Sequence, residues 1–302
     1  MKYSTIFKDC LNCDNEDQVF DFLINNLKPS SKLWSYFVDW NKVNKNVRKV
    51  EVSLNTLNYL IGKKNFDDEF RYLIKSNPRL IPVLPLLVVS RDHSFNILVD
   101  YQDRILRYEN YDFTIQNPTD EDIERLLFFT EKSGLKKLLK SSKIKSLVDY
   151  MFGVEAGLDS NGRKNRVGKT MESIIEVFIK HLCNEKGYDY LTQANATKIK
   201  ENFGIDVPVD KSSRKYDFVV KTNTNLTIFE VNFYGGGGSK LKSTAGEYRN
   251  LYDILNGQFP FIWITDGIGW EKTQLPLRES FDHNEFILSL AMLERGILEK
   301  LV

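Results

Sequence analysis

The chain has 302 residues, 42% hydrophobic and 13% aromatic, enough apolar material to exclude wholesale disorder and to fill one large domain or two. Its 42 Lys and Arg nearly balance 41 Asp and Glu. A formal net charge of +1 excludes nucleic-acid binding driven by bulk charge, so any such site must come from local clusters of basic residues.

No apolar run approaches the ~18 residues of a membrane span, and the polar start carries no secretory pattern. The expectation is a cytoplasmic protein without membrane contact. Cys10, Cys13 and Cys183 make no disulfide framework, which fits a reducing compartment. Cys10-x-x-Cys13 lacks a second ligand pair for zinc, because Cys183, His93, His181 and His283 are all isolated.

Taken in chain order, Val19, Phe20, Phe22, Leu23 and Leu27 follow helical spacing, and 33–43 and 53–61 repeat it less regularly. Asn77-Pro78 is a stop signal. Residues 80–89, apolar but interrupted by Pro82 and Pro85, predict a buried, broken segment. A strand is expected at 95–101 and helices at 118–129 and 135–152. The composition shifts near Gly153, which divides the chain into a mainly helical region, 1–152, and a second region, 153–302. Residues 157–162 read as a loop by their turn chemistry. Met171, Ile174, Ile175, Phe178, Ile179 and Leu182 then form one apolar stripe, the clearest helix in the chain. Strands follow at 188–192, 216–221 and 226–233, then a glycine loop at 235–238, a helix at 245–255, a strand at 259–265 and a closing helix at 285–301. This order predicts an α/β fold with a mixed central sheet flanked by helices.

Residues 222–225 separate two β-patterned runs. A two- or four-residue hairpin loop centred between Asn223 and Thr224 sets Asp217 opposite Glu230, with Asn232 on the same face. The other face carries Phe218, Val220, Phe229, Val231 and Phe233 and is expected to be the core face. Two carboxylates facing each other repel. A hard cation such as Mg²⁺, which takes one or two carboxylates plus phosphate and water, removes the conflict. The alternative is an edge hairpin with its acids in solvent.

Tyr234-Gly235-Gly236-Gly237-Gly238-Ser239-Lys240-Leu241-Lys242 follows at once. Its glycines let the backbone approach a ligand, and its two lysines can meet phosphate. Upstream, Arg163, Lys164, Arg166 and Lys169 precede the strong helix, either as a phosphate clamp at its N-terminus or as a solvated charged loop. Glu172 lies in the first turn of that helix. Residues 162–170 come close to a Walker A loop, but five residues rather than four separate Gly162 from Gly168, and no apolar strand precedes it, which argues against an NTPase. No Gly-x-Ser-x-Gly elbow occurs, and the histidines sit in no triad context. His181 and Trp263 read as structural.

An acidic helix, Asp217 on one strand and Glu230-Val231-Asn232 on the next resemble the PD-(D/E)XK nuclease core. More specifically, Gly162-Arg163-Lys164-Asn165-Arg166 through Lys169-Thr170-Met171-Glu172, with Phe229-Glu230-Val231-Asn232-Phe233-Tyr234, the glycines and Lys240, resembles the DpnII/MboI group of type II restriction endonucleases. The resemblance covers most of the C-terminal half. It implies a Mg²⁺-dependent homodimer that cuts both strands of duplex DNA at unmethylated GATC, before the G, leaving 5′ overhangs, in a prokaryotic cell where a companion methyltransferase guards the host. It makes 153–302 the nuclease core and leaves 1–152 for recognition, dimerisation or both. By position, Asp217 and Glu230 would bind the metal and Glu172 would complete the site. Arg163, Lys164, Arg166 and Lys169 would contact DNA. Asn232 stands where the general motif has lysine, and an amide can only orient water or phosphate by hydrogen bonds. Lys240 or Lys242 could supply the missing charge. That departure also admits a rival, a sequence-specific DNA-binding protein with a nuclease-like fold and no activity.

Overall fold

The computed structural model describes residues 5–100, 105–255 and 257–302, and the side chains of 163 and 164 stand outside that description, as does Tyr101 of the expected first strand. The chain gathers into two units: residues up to Tyr36 together with Arg163–Val302, and Phe37–Gly162. This differs from a single division at 152/153. The opening helices α1 (Thr5–Leu11) and α2 (Glu16–Asn25) bury Phe7, Leu11, Val19, Phe20 and Leu23 in the same core as the C-terminal sheet.

The unit Phe37–Gly162 has its own core, built by α3 (Trp40–Leu57), α4 (Phe66–Ser76), a two-stranded ribbon of β1 (Ser94–Asp100) and β2 (Arg107–Asp112), and α5 (Asp120–Lys132), α6 (Leu135–Lys140) and α7 (Leu147–Ser160). The proline-broken segment forms two short 3₁₀ turns, Pro78–Val83 and Pro85–Val88. The expected loop at 157–162 is instead mostly helix, because α7 runs to Ser160. Its buried stripe continues past the glycines as Leu147, Met151, Glu155 and Asp159. Both acids are held: Asn46 Nδ2 and Arg91 Nη2 donate to Glu155 at 2.7 Å, and Lys42 Nζ lies 3.1 Å from Asp159. Tertiary pairing overrides local turn propensity here.

In the other unit α8 (Arg163–Lys186) is followed by β3 (Asp189–Ala194), α9 (Ala196–Phe203), β4 (Tyr216–Lys221), β5 (Leu226–Phe233), α10 (Ser239–Leu255), β6 (Phe261–Asp266), α11 (Gln274–His283), β7 (Phe286–Leu288), α12 (Leu290–Leu293) and α13 (Leu298–Leu301). The five strands lie in sequence order. Pairing is antiparallel from β3 to β5 and parallel from β5 to β7, so the sheet is mixed as expected. The closing helix expected at 285–301 is corrected: Phe286, Ile287 and Leu288 pair with β6, and Gly296 at φ +71° separates the two short helices that follow. Asp266, fully buried at the end of β6, accepts N–H bonds from Lys28 and Gly267 at 2.6 Å and from Leu290 at 2.8 Å, tying the segment after α2 and the start of α12 to the sheet. Among the described residues no helix is long and apolar enough to cross a membrane.

The β4–β5 register is the expected one, with Phe218 opposite Phe229 and Val219 opposite Ile228. The turn closes at residues 222–225, where the Thr222 N–H donates to the Asn225 carbonyl at 2.9 Å. The expectation of one core face is too simple. Val219, Leu226 and Ile228, on the acidic face, are fully buried, because β5 is the central strand and helices cover both sides. The edge-hairpin alternative is therefore excluded.

Candidate active site

Asp217 on β4 and Glu230 on β5 are brought together by that register, and Glu172 on α8 joins them through Gln193 of β3. The Gln193 Nε2 donates to Asp217 Oδ1 at 2.8 Å and to Glu172 Oε2 at 3.0 Å. Gln193 faces Asp217 between the ladder pairs Thr192–Phe218 and Ala194–Tyr216, at a positive φ of 47° that a non-glycine residue rarely adopts. Asp217 Oδ2 accepts the Val231 N–H at 2.9 Å.

Glu230 is almost fully buried. Its Oε2 accepts from the Tyr248 hydroxyl at 3.0 Å. Among the described residues no donor reaches its Oε1; Arg214 Nη1 lies 3.6 Å from it, and the Asp217 carboxyl adjoins the Glu230 side chain. That guanidinium is already held by Asp210, at 2.7 Å from Nε and 2.5 Å from Nη2, and by Glu247 at 2.6 Å. Burial, then the charge of Asp217, pushes the Glu230 carboxyl well above the usual carboxylate range. Burial raises Asp217 as well. Glu172 is raised by burial and by Asp217. Each group is held where its charged form is disfavoured, so a cation among them would be stabilised.

Among the described residues no group of three or more His, Cys, Asp or Glu is placed to hold a metal ion. The donors that do converge, Asp217 and Glu230, are all oxygen, and the buried Glu230 Oε1 still lacks a hydrogen-bond partner. Such a pair fits a hard divalent cation that keeps its remaining ligands as water or phosphate.

Asn232 lies two residues beyond Glu230 on the same face of β5. Its Oδ1 accepts from the Thr265 hydroxyl at 2.6 Å, and Thr265 Oγ1 accepts from Trp270 Nε1 at 2.8 Å. The glycine loop leads straight into α10, so Lys240 and Lys242 stand exposed in that helix's first turn and not in the loop itself. Glycines 235–238, Lys240, Ser31 and Lys32 line a cavity of about 540 Å³.

The basic run differs from expectation. It forms the opening turns of α8 and is not a loop before it. The Arg166 Nε donates to the Tyr36 carbonyl at 3.2 Å, and Lys169 is exposed one turn before Glu172. The side chains of Arg163 and Lys164 lie outside the described residues. The near-Walker segment is helix from 163 onward and therefore forms no glycine-rich loop of the phosphate-cradling kind. Five site residues escaped sequence reasoning: Gln193, Arg214, Tyr248, Thr265 and Trp270. Gln193 and Thr265 reach the site only through pairings of distant strands, for which the sequence holds no local signal.

The chain matches the DpnII restriction endonuclease family over residues 19–300. It is 46% identical to the type II restriction enzyme MjaIII of Methanocaldococcus jannaschii over 290 residues, 94% of this chain and 99% of that one. It is 36% identical to the type II restriction enzyme DpnII of Streptococcus pneumoniae, with 93% and 98% of the two chains covered. With the type II restriction enzyme MboI of Moraxella bovis it shares 31%, with 93% and 95% covered. No solved structure matches the chain. The family match and these relatives define a class, the site-specific deoxyribonucleases of restriction systems. The chain belongs to the DpnII restriction endonuclease family.

Proposed function

We propose that the protein is a PD-(D/E)XK nuclease that makes Mg²⁺-dependent double-strand cuts in unmethylated duplex DNA at GATC, before the G, leaving 5′ overhangs. The observation that carries this reading is the pairing of half-buried Asp217 with buried Glu230, each with its carboxyl raised, and a Glu230 Oε1 that no donor among the described residues reaches.

Asp217 and Glu230 would hold the metal, which when bound neutralises phosphate charge and makes water a better nucleophile. The Val231 N–H and Gln193 fix the Asp217 carboxylate, while Tyr248 and Arg214 fix Glu230. Glu172 shares Gln193 with Asp217 and completes the acidic wall. Asn232 orients water or a phosphate oxygen by hydrogen bonding, in place of the lysine of the general motif. Lys240 and Lys242 at the start of α10, and Arg163, Lys164, Arg166 and Lys169 on α8, contact DNA. A palindromic target suits a two-fold homodimer. The N-terminal helical region serves recognition, dimerisation or both, and a companion methyltransferase protects the same site in a prokaryotic cytoplasm.

The test is end-mapping of digested DNA, adenine-methylated and unmethylated, with Mg²⁺ and with chelator. Cuts before the G of GATC, absent on methylated DNA, with chelator and in Asp217→Ala, are expected. The asparagine at 232 favours one rival, an inactive sequence-specific DNA-binding protein. Binding of GATC duplexes without any cutting would establish that rival instead.

A further inference from the structure

We propose that Thr265 and Trp270 are positioning residues that set the polarity of the Asn232 carboxamide, so that its N–H₂ end is presented as a donor to an oxygen of the reacting centre. The inference rests on the nuclease reading above and assigns the residues that make an asparagine usable at that position.

The chain of bonds has a direction. An indole N–H can only donate, so Thr265 Oγ1 is the acceptor of the 2.8 Å bond from Trp270. Thr265 is fully buried and has one hydroxyl proton to give, and Asn232 Oδ1 lies 2.6 Å away to take it. Turning the amide over would set its N–H₂ against that hydroxyl and strip the buried proton of its acceptor. The amide is therefore held with its carbonyl toward Thr265. Its Nδ2 is then a buried donor with no partner among the described residues, on the strand face that also carries Glu230.

The far end of the relay is rigid. Trp270 is fully buried and packs edge-on against Tyr234, at 5.3 Å between ring centroids, and Trp263, at 5.9 Å. The turn that carries it lies directly on the backbone of the glycine loop. A Cβ on Gly269 would fall 2.6 Å from the Gly236 carbonyl oxygen and 2.7 Å from that of Tyr234. The Gly269 N–H in turn donates to Tyr234 O at 2.8 Å. The position of the glycine loop and the aim of Asn232 are thus fixed by the same turn.

The test combines single-turnover cleavage in Mg²⁺, duplex affinity in Ca²⁺, and indole resonances of protein labelled with ¹⁵N-tryptophan. Thr265→Val is nearly isosteric and removes only the hydroxyl. It is expected to slow cleavage about tenfold, less than the roughly 10²–10³ of deleting a donor outright because the amide is misaimed and not removed, with duplex affinity unchanged. Thr265→Ser should restore the rate, and Thr265→Val should add nothing in an Asn232→Ala background, a non-additivity that a purely structural role would not produce. The Trp270 indole resonance, assigned by its loss in Trp270→Phe, should move in Thr265→Val. If Thr265→Val proves unstable, Trp270→Phe takes its place with a smaller slowing expected. Wild-type cleavage by Thr265→Val, equal slowing with and without Asn232, or an unmoved indole resonance would overturn the inference. A wild-type enzyme that cuts no DNA overturns the nuclease reading and the catalytic half of this one, while the indole shift still decides the relay separately.

Discussion

Asp217 and Glu230 sit in a place that folding alone disfavours. A buried glutamate beside a second acid keeps its proton more tightly than the unfolded chain does. Stability linked to it is therefore present at low pH and is lost as the pH rises from the ordinary carboxylate range to the raised folded value. Asp217→Asn removes the repulsion, while Gln193, whose exposed amide can turn over, still pairs with the new side chain. We predict that metal-free Asp217→Asn is more stable than wild type at neutral pH by on the order of 1 kcal/mol. It should also lose less stability than wild type as the pH rises above the ordinary carboxylate range. Added Mg²⁺ should raise the melting temperature of wild type and leave that of the variant unchanged. Calorimetric melts in chelator and in Mg²⁺ check all three. The acid pair itself was legible because a hairpin of either loop length gives the same register. Glu230's other partners were not, since Tyr248 arrives from α10, and Arg214 precedes β4 in a segment without periodicity.

At the scale of the element, β4 and β5 follow the bounds read from the sequence, because their alternation and the polar turn between them are local. The last part of the chain was misread for the opposite reason. Residues 285–301 are apolar enough for a helix, yet Phe286, Ile287 and Leu288 are drawn into parallel pairing by β6, a partner distant in sequence. The loop expected at 157–162 failed because the buried acids Glu155 and Asp159 are paired with half-exposed Arg91 and Lys42, which keeps α7 helical past its glycines. We predict that Glu155→Ala, which removes the hydrogen bonds from half-exposed Arg91 and Asn46 to a buried carboxylate, costs about 1 kcal/mol in urea denaturation. Between the turn after β6, Ile268–Lys272, and the glycine loop the contact is backbone on backbone, so Gly269→Ala has no room to relax. A loss of about 1–3 kcal/mol is expected, with slower cleavage as the Trp270 turn lifts. Denaturation midpoints and single-turnover rates check this.

For the whole molecule, the sequence indicated an α/β core behind a helical region, and the structure keeps that outline while moving α1 and α2 into the core unit. Short apolar stripes such as Val19, Phe20 and Leu23 carry no address for the surface they will cover, so that assignment lies beyond periodicity. A homodimer is predicted from the symmetry of the proposed target, and sedimentation velocity should give twice the 35.2 kDa chain mass. The most direct measurement of the central claim is anomalous diffraction from crystals of the DNA complex soaked with Mn²⁺. A peak at the Asp217 and Glu230 carboxyls is expected. A metal peak elsewhere, with those two side chains unliganded, would contradict it.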